Sequence, residues 1–300
     1  MVRAVVHQKT YMVEEGTTLG ELAGKIQKPD GPVILLAYAN GKLKELFRPI
    51  EENSYIRFVT LEEQAGYMTY KRTAMFMFLK ACEDVLGAGA VDDIAINYSI
   101  GNSTFCEFLV KDIQVTTQLA LRIQNQMEQL RDQDLPITKY SVDTSKARKY
   151  FESIGLREKQ RLFRFRRGSK TNMYCLDGYE NYFYGYMAPS TGYIANFLVS
   201  PYQDGLVLQT PKRHQTEKIA KFYPQPKLFR VMQRSREWSK TLGVDTVGAL
   251  NEEITKGNIS HLILLQEGLQ EKLLSDIADK IVQEDKKTVS YTHLRAHETS

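Results

Sequence analysis

The chain has few of the residues that most often carry chemistry. It has three cysteines, Cys82, Cys106 and Cys175, spaced 24 and 69 residues apart. That odd number at those spacings excludes a disulfide framework and a paired zinc motif, leaving ordinary reduced thiols. His7, His214 and His261 stand alone in sequence, with no nucleophile or carboxylate at motif spacing, and read as surface or packing residues. No apolar run reaches 18 residues, and His7, Gln8 and Lys9 interrupt the N-terminus where a signal peptide needs an apolar core. A membrane span is excluded and a soluble, cytoplasmic protein is expected. No Gly-x-x-x-x-Gly-Lys-Ser/Thr loop occurs, so a triphosphate is not cradled by that route. Internal repeats and low-complexity segments are also missing. Forty Lys and Arg against 36 Asp and Glu give a net charge of +4. That is too mild to mark a nucleic-acid binder, so local clustering has to carry any such case.

With 300 residues, 42% of them hydrophobic, the chain has enough for about two domains with cores. Short β-rich runs at 2–7 and 10–13 precede Thr18-x-x-Glu21, a capping box that starts a helix with Leu19, Leu22, Ala23 and Ile26 on one face. Val33 to Ala39 reads as a buried strand, Asn40-Gly41 as a tight turn, and Tyr55 to Val59 as another strand. This predicts a small mixed sheet wrapped on one helix. Met75, Phe78, Leu79, Cys82, Val85 and Leu86 then mark a helical stripe. Strand patterns at 93–99 and 104–110 flank the hairpin signal Gly101-Asn102-Ser103. Further helices follow at Leu119 to Leu130 and at Ala147 to Ile154, the latter stopped by Gly155. Beyond 211, Pro211, Pro224 and Pro226 punctuate a linker, and helical patterns run to about 284. Leu262, Leu265, Leu269, Leu273, Ile277 and Ile281 line one face of the last of these.

Two clusters bear on binding. Arg157 to Lys170 holds seven basic residues against Glu158, with Phe163 and Phe165 interleaved. The alternation places these aromatics opposite Arg164 and Arg166, as on a half-buried strand. Arg161, Arg164, Arg166, Arg167 and Lys170 are the candidate phosphate or RNA contacts, although a solvated strand face gives the same pattern. Nine Lys or Arg between 212 and 240, with Arg230, Arg234 and Trp238 at helical spacing, either extend that patch or form a solvated helix face. Tyr174 to Tyr193 holds seven aromatics, which fit cross-strand packing or a cleft for a base or nucleoside.

Phe183-Tyr-Gly-Tyr-Met187-Ala-Pro-Ser-Thr-Gly192 resembles the Cys-x-x-x-His-x-Pro-Ser-Thr-Gly segment of the editing (second additional) domain of threonyl-tRNA synthetases. Arg72-Thr73-Ala74-Met75-Phe76 resembles that family's His-Ser-x-x-His helix. The four positions where the resemblance calls for metal ligands hold Arg72, Phe76, Phe183 and Met187. These cannot supply the thiolate, imidazole or carboxylate donors zinc needs, so no metal is expected. Gly16-Thr-Thr-Leu19 and Ala39-Asn-Gly-Lys-Leu43 resemble the TGS domain that precedes the editing domain in that family. Segments at 227–229, 238–244 and 247–251, with Asp177-Gly-Tyr179 and Tyr182 to Tyr186, resemble bacterial uridine kinase-like nucleoside kinases, in which such domains precede a P-loop kinase domain.

The resemblance implies an α+β chain in four parts. They are a β-grasp (ubiquitin-like) TGS domain at 1–61, an editing-like domain of the threonyl/alanyl-tRNA synthetase type at 62–210, a helical connector at 211–287 and a non-native tail at 288–300. The tail resembles translated sequencing-adapter sequence, and its His293-x-x-x-His297 pair has no further ligands. On this reading the chain is the catalytically inert accessory part of a nucleoside kinase. ATP and Mg would be needed only with the missing C-terminal kinase domain, and nucleoside or RNA are the expected partners. The alternative is a non-catalytic tRNA- or RNA-binding module. A working deacylase would have to activate water without any of the four usual ligands.

Overall fold

The computed structural model describes residues 1–29, 31–87, 89, 94–109 and 113–288, the Arg157 side chain excepted. The ends of the strand patterns at 93 and 110, and the His293/His297 pair, lie outside them. The chain divides into two compact units, Met1–Ser235 and Arg236–Ser300.

The first unit opens with β1 (Val2–Val6) and β2 (Lys9–Val13), a hairpin, followed by α1 (Leu19–Ile26). The capping box forms as the sequence requires: Thr18 Oγ1 accepts from the Glu21 amide at 3.1 Å, and Glu21 Oε2 accepts from the Thr18 amide at 2.7 Å. Next come β3 (Ile34–Ala39), β4 (Lys42–Glu45) and β5 (Ser54–Thr60). Asn40 and Gly41 turn the β3–β4 hairpin at φ of 49° and 76°, values both residues tolerate. The five strands form a mixed sheet in the order β2-β1-β5-β3-β4, with β1 and β5 parallel. Leu19, Leu22 and Ala23 of α1 bury their face against Ala4, Val6, Ile56 and Phe58.

The other face of this sheet is not self-contained. Leu35, Leu36 and Val59 join the cluster around α2 (Gln64–Leu86). Every residue of α2 from Thr73 to Cys82 is buried. The helix is therefore covered all round rather than along the single stripe its spacing predicts. Its neighbours include a sheet in the order β11-β12-β7-β6, built from β6 (Ile94–Ile100), β7 (Ser103–Phe108), β11 (Leu198–Tyr202) and β12 (Gly205–Gln209). They also include α3 (Thr117–Gln133) and the inward face of a third sheet. That sheet has the order β10-β9-β8, from β8 (Ile137–Asp143), β9 (Lys170–Leu176) and β10 (Tyr179–Asn181). Its outward residues Tyr140, Val142 and Met173 pack with α4 (Thr144–Ser153) and α5 (Arg157–Arg164).

The strand expected at 157–170 is corrected by this geometry, since residues 157–164 are helix α5 and only Lys170 enters a strand. The reason is twofold. Both edges of β9 are already paired, to β8 and β10, so no ladder is open to a further strand beside it. Arg, Glu, Lys and Gln are good helix formers, and a single helical turn suffices to bury Phe163, which meets Phe151 at 5.2 Å and Tyr182 at 5.0 Å between ring centroids.

The second unit contains the end of α6 (Pro226–Thr241), α7 (Val247–Thr255) and α8 (Ile259–Gln283). The Thr246 side chain caps α7. Within this unit Trp238 Nε1 donates to Gln266 Oε1 at 3.0 Å. No helix among the described residues is long and apolar enough to cross a membrane.

Candidate functional site

The four positions at which the resemblance calls for metal ligands do come together. Arg72 and Phe76 are one helical turn apart on α2, and Phe183 and Met187 lie on the loop after β10. The Phe76 and Phe183 rings meet edge-on at 5.3 Å. Arg72 Nη1 donates to the Tyr186 carbonyl at 2.6 Å. Thr73 Oγ1 sits 3.6 Å from Met187 Sδ and accepts from the Ala188 amide at 2.9 Å. Phe76 and Met187 are fully buried. The set offers no donor suited to zinc, and the two rings and the thioether fill the space as core. Among the described residues no three of His, Cys, Asp and Glu gather as a metal site would need. A cation-to-carbonyl bond and an aromatic contact tie the loop to the helix here.

The loop is held from two more sides. Glu45, at the end of β4 and 2% exposed, places Oε2 2.7 Å from Lys139 Nζ and accepts at Oε1 from the Met187 amide at 3.2 Å. The Tyr174 hydroxyl lies 2.7 Å from Glu45 Oε1 and 2.6 Å from the Gly185 carbonyl, its one hydrogen shared by two acceptors. Burial first, and then the bond to Glu45, push the Tyr174 phenol up. Gly185, at φ 123°, lies beneath the Arg72 guanidinium where a Cβ has no room.

The Pro189-Ser-Thr-Gly192 stretch serves as a buckle. Asp134, left-handed at the end of α3 (φ 49°), accepts from Ser190 Oγ and, at 3.0 Å, from the Gly192 amide. Thr191 Oγ1 accepts from the Leu135 amide at 2.8 Å and donates to the Leu130 carbonyl. A Cβ on Gly192 would fall on the Asp134 carboxylate. The motif thus anchors the loop to the protein and needs no metal to do so.

Beside Phe183 lies a feature that sequence reasoning missed. Lys159 on α5 donates to the Tyr182 carbonyl at 2.9 Å, and its ammonium sits 5.6 Å from the centroids of both the Tyr182 and Phe183 rings. Arg166 flanks the same tyrosine, 5.0 Å from the ring centroid, with Nη1 donating to the Tyr182 hydroxyl at 2.6 Å. Among the described residues neither cation has a carboxylate within 4 Å. Burial pulls the half-buried Lys159 down to about 8. Its sequence signal was only membership of the basic run, because the contact with Tyr182 spans 23 residues.

The remaining candidates divide. Arg161 pairs with Glu158 at 3.5 Å on α5. Arg164, at the end of that helix, and Arg167, in the loop after it, are exposed, as is Lys170 at the start of β9. The segment at 212–240 runs elsewhere: Arg213 donates to Gln64 on α2 at 3.2 Å, and Arg230 to the Pro226 carbonyl at 3.4 Å. Of the aromatics between 174 and 193, Tyr174 and Tyr179 are buried and Phe183 packs on Phe76, so the stretch is mainly core. Tyr184, at 87% exposure, is the open one.

Similarity to known proteins supports a threonyl-tRNA synthetase-related domain in this mixed α+β chain. The threonine-tRNA ligase of Thermotoga petrophila is 27% identical over 192 residues, which are 63% of this chain and 28% of that protein. That of Syntrophotalea carbinolica is 25% identical over 183 residues, 61% and 28% of the two chains. That of Clostridium novyi is 27% identical over 133 residues, 44% and 20%. The matched stretch thus spans less than a third of each of these relatives. No family model matches the chain.

Proposed function

We propose that this chain is a non-catalytic tRNA- or RNA-binding module. In this reading a TGS-like β-grasp domain at 1–61 and an editing-like domain at 62–210 are followed by a helical connector at 211–287. The carrying observation is the Tyr182 cluster, in which Lys159 and Arg166 lie 5.6 and 5.0 Å from the ring centroid, without carboxylate partners among the described residues, beside Phe183. Cations held on an aromatic ring and left without an acid suit phosphate oxygens. The exposed Tyr184 ring nearby adds a face on which a base can stack. Hydrolysis is not part of the proposal, because a water activated by metal requires donors that Arg72, Phe76, Phe183 and Met187 lack.

The threonine-tRNA ligase relatives support this reading over the kinase-accessory one, which rests on the resemblance of segments at 177–186 and 227–251 alone. The test is filter binding of tRNA across a salt series by the full chain and by a Lys159→Gln/Arg166→Gln variant. The variant should bind several-fold more weakly with a shallower salt slope, since fewer counterions are released. An unchanged affinity and slope would overturn the proposal.

A further inference from the structure

The sheet formed by β1–β5 is half covered. Leu36, Val59 and Glu45 face α2 and the loop it holds, whereas the other half of the same face is open. A groove of about 570 Å³ runs there, lined by Val5, Tyr38, Tyr55 and Arg57, with the His7-Gln8 turn at one end. The strand pairing fixes this arrangement. Val5 is the register partner of Tyr55 across the parallel β1–β5 pair, and Tyr38 that of Arg57 across β3–β5. Tyr55 and Arg57 are two apart on one strand, so their side chains rise from the same face roughly 7 Å from each other.

Two of the lining groups, Tyr55 and Arg57, offer an exposed ring and a guanidinium on one face. Arg57 stacks over Tyr38 with its Cζ 4.7 Å from the ring centroid. Its Nη1 is taken by Glu63 at 2.8 Å, which leaves the rest of its donor fork open. Tyr55 is 69% exposed, yet its backbone is fixed because its amide donates to Asn40 Oδ1 at 2.9 Å. Among the described residues no Asp or Glu lines the groove itself, and Glu63 meets it only through its ion pair with Arg57. A pocket for a free small molecule buries most of its ligand, and a face with a tyrosine this exposed does not. An open π-surface beside a guanidinium on a sheet is instead the arrangement on which successive bases of a single strand stack.

The geometry points to a second RNA contact: the open face of the first sheet stacks an unpaired base of a single-stranded RNA on Tyr55, with Arg57 toward its backbone. This extends the RNA reading given above but shares no residue with the Tyr182 cluster, so the two fail separately.

The probe is a twelve-residue oligoadenylate carrying 2-aminopurine, whose fluorescence is quenched on stacking, titrated against the full chain. Quenching is expected with the parent. Tyr55→Ala, which removes an exposed ring and should leave folding intact, is expected to abolish most of the quench and weaken binding about tenfold. Tyr55→Phe should retain both. If Tyr55→Ala matches the parent while Lys159→Gln/Arg166→Gln is impaired, the sheet platform is overturned and the RNA reading stands. If Tyr55→Ala is impaired and the double variant is not, the platform stands and the Tyr182 site falls. Protection of Tyr55 by a polypeptide, with no response to the oligonucleotide, overturns the platform as an RNA site.

Discussion

Glu45 Oε2 lies 2.7 Å from Lys139 Nζ, with the two side chains 2% and 10% exposed. The pair joins the end of β4 in the first sheet to β8 of the third, and through Met187 and Tyr174 it reaches the loop that carries Phe183 and Met187. Removing one partner leaves an uncompensated charge in the interior, which costs about 3–5 kcal/mol. Glu45→Ala should lose stability on that scale in urea denaturation, and Glu45→Leu/Lys139→Met should lose much less. Equal losses would show that the pair does not act as a unit.

Zinc is expected to be absent from the purified protein, and Ser-tRNA should not be deacylated, because Arg72, Phe76, Phe183 and Met187 converge without a donor among them. Metal analysis is the measurement. About one zinc per chain, lost when residues near these positions are changed, would sink this expectation.

Lys159 gives a pH dependence of defined sign. Burial lowers it to about 8, against roughly 10.4 for an ordinary lysine. Below about pH 8 the amine is protonated in the folded and unfolded chain alike and adds no slope. Between about 8 and 10.4 the unfolded chain holds the proton that the folded one has released, so this group's contribution to stability rises with pH. As pH passes through about 8 the folded Tyr182 cluster loses a cation, and RNA affinity should fall as pH rises there. Lys159→Met should flatten both trends relative to the parent in denaturation and binding series from pH 7 to 10.

Gly192→Ala places a methyl group on the Asp134 carboxylate and disturbs the bonds from Ser190 and Gly192. A loss of about 1–3 kcal/mol is expected. Asp134→Asn, which keeps one acceptor oxygen, should cost less. A parent-like midpoint for Gly192→Ala would mean that the buckle yields freely.

Local chemistry made much of the chain legible. The Thr18–Glu21 box, the Asn40-Gly41 turn and the 101–103 hairpin are decided by residues a few positions apart and appear as read, whereas α2 forms as a helix but is buried all round from Thr73 to Cys82 and not along one stripe. The basic run was legible as charge but not as conformation. Alternating Phe and Arg reads by period as a strand, whereas the chain forms a short helix there that buries Phe163 against Phe151 and Tyr182.

What the sequence by itself determined, then, is which groups are present: Arg72, Phe76, Phe183 and Met187 where the resemblance calls for ligands, seven basic residues between 157 and 170, and a Pro-Ser-Thr-Gly stretch at 189–192. Tertiary structure decided which of them meet. Glu45 reaches Met187 across 142 residues and Tyr174 across 129, and Tyr182 meets both Lys159 and Arg166. Such contacts depend on how three sheets close around α2. Side-chain periodicity carries no information about them, because it reports which face of an element is buried and not what covers it.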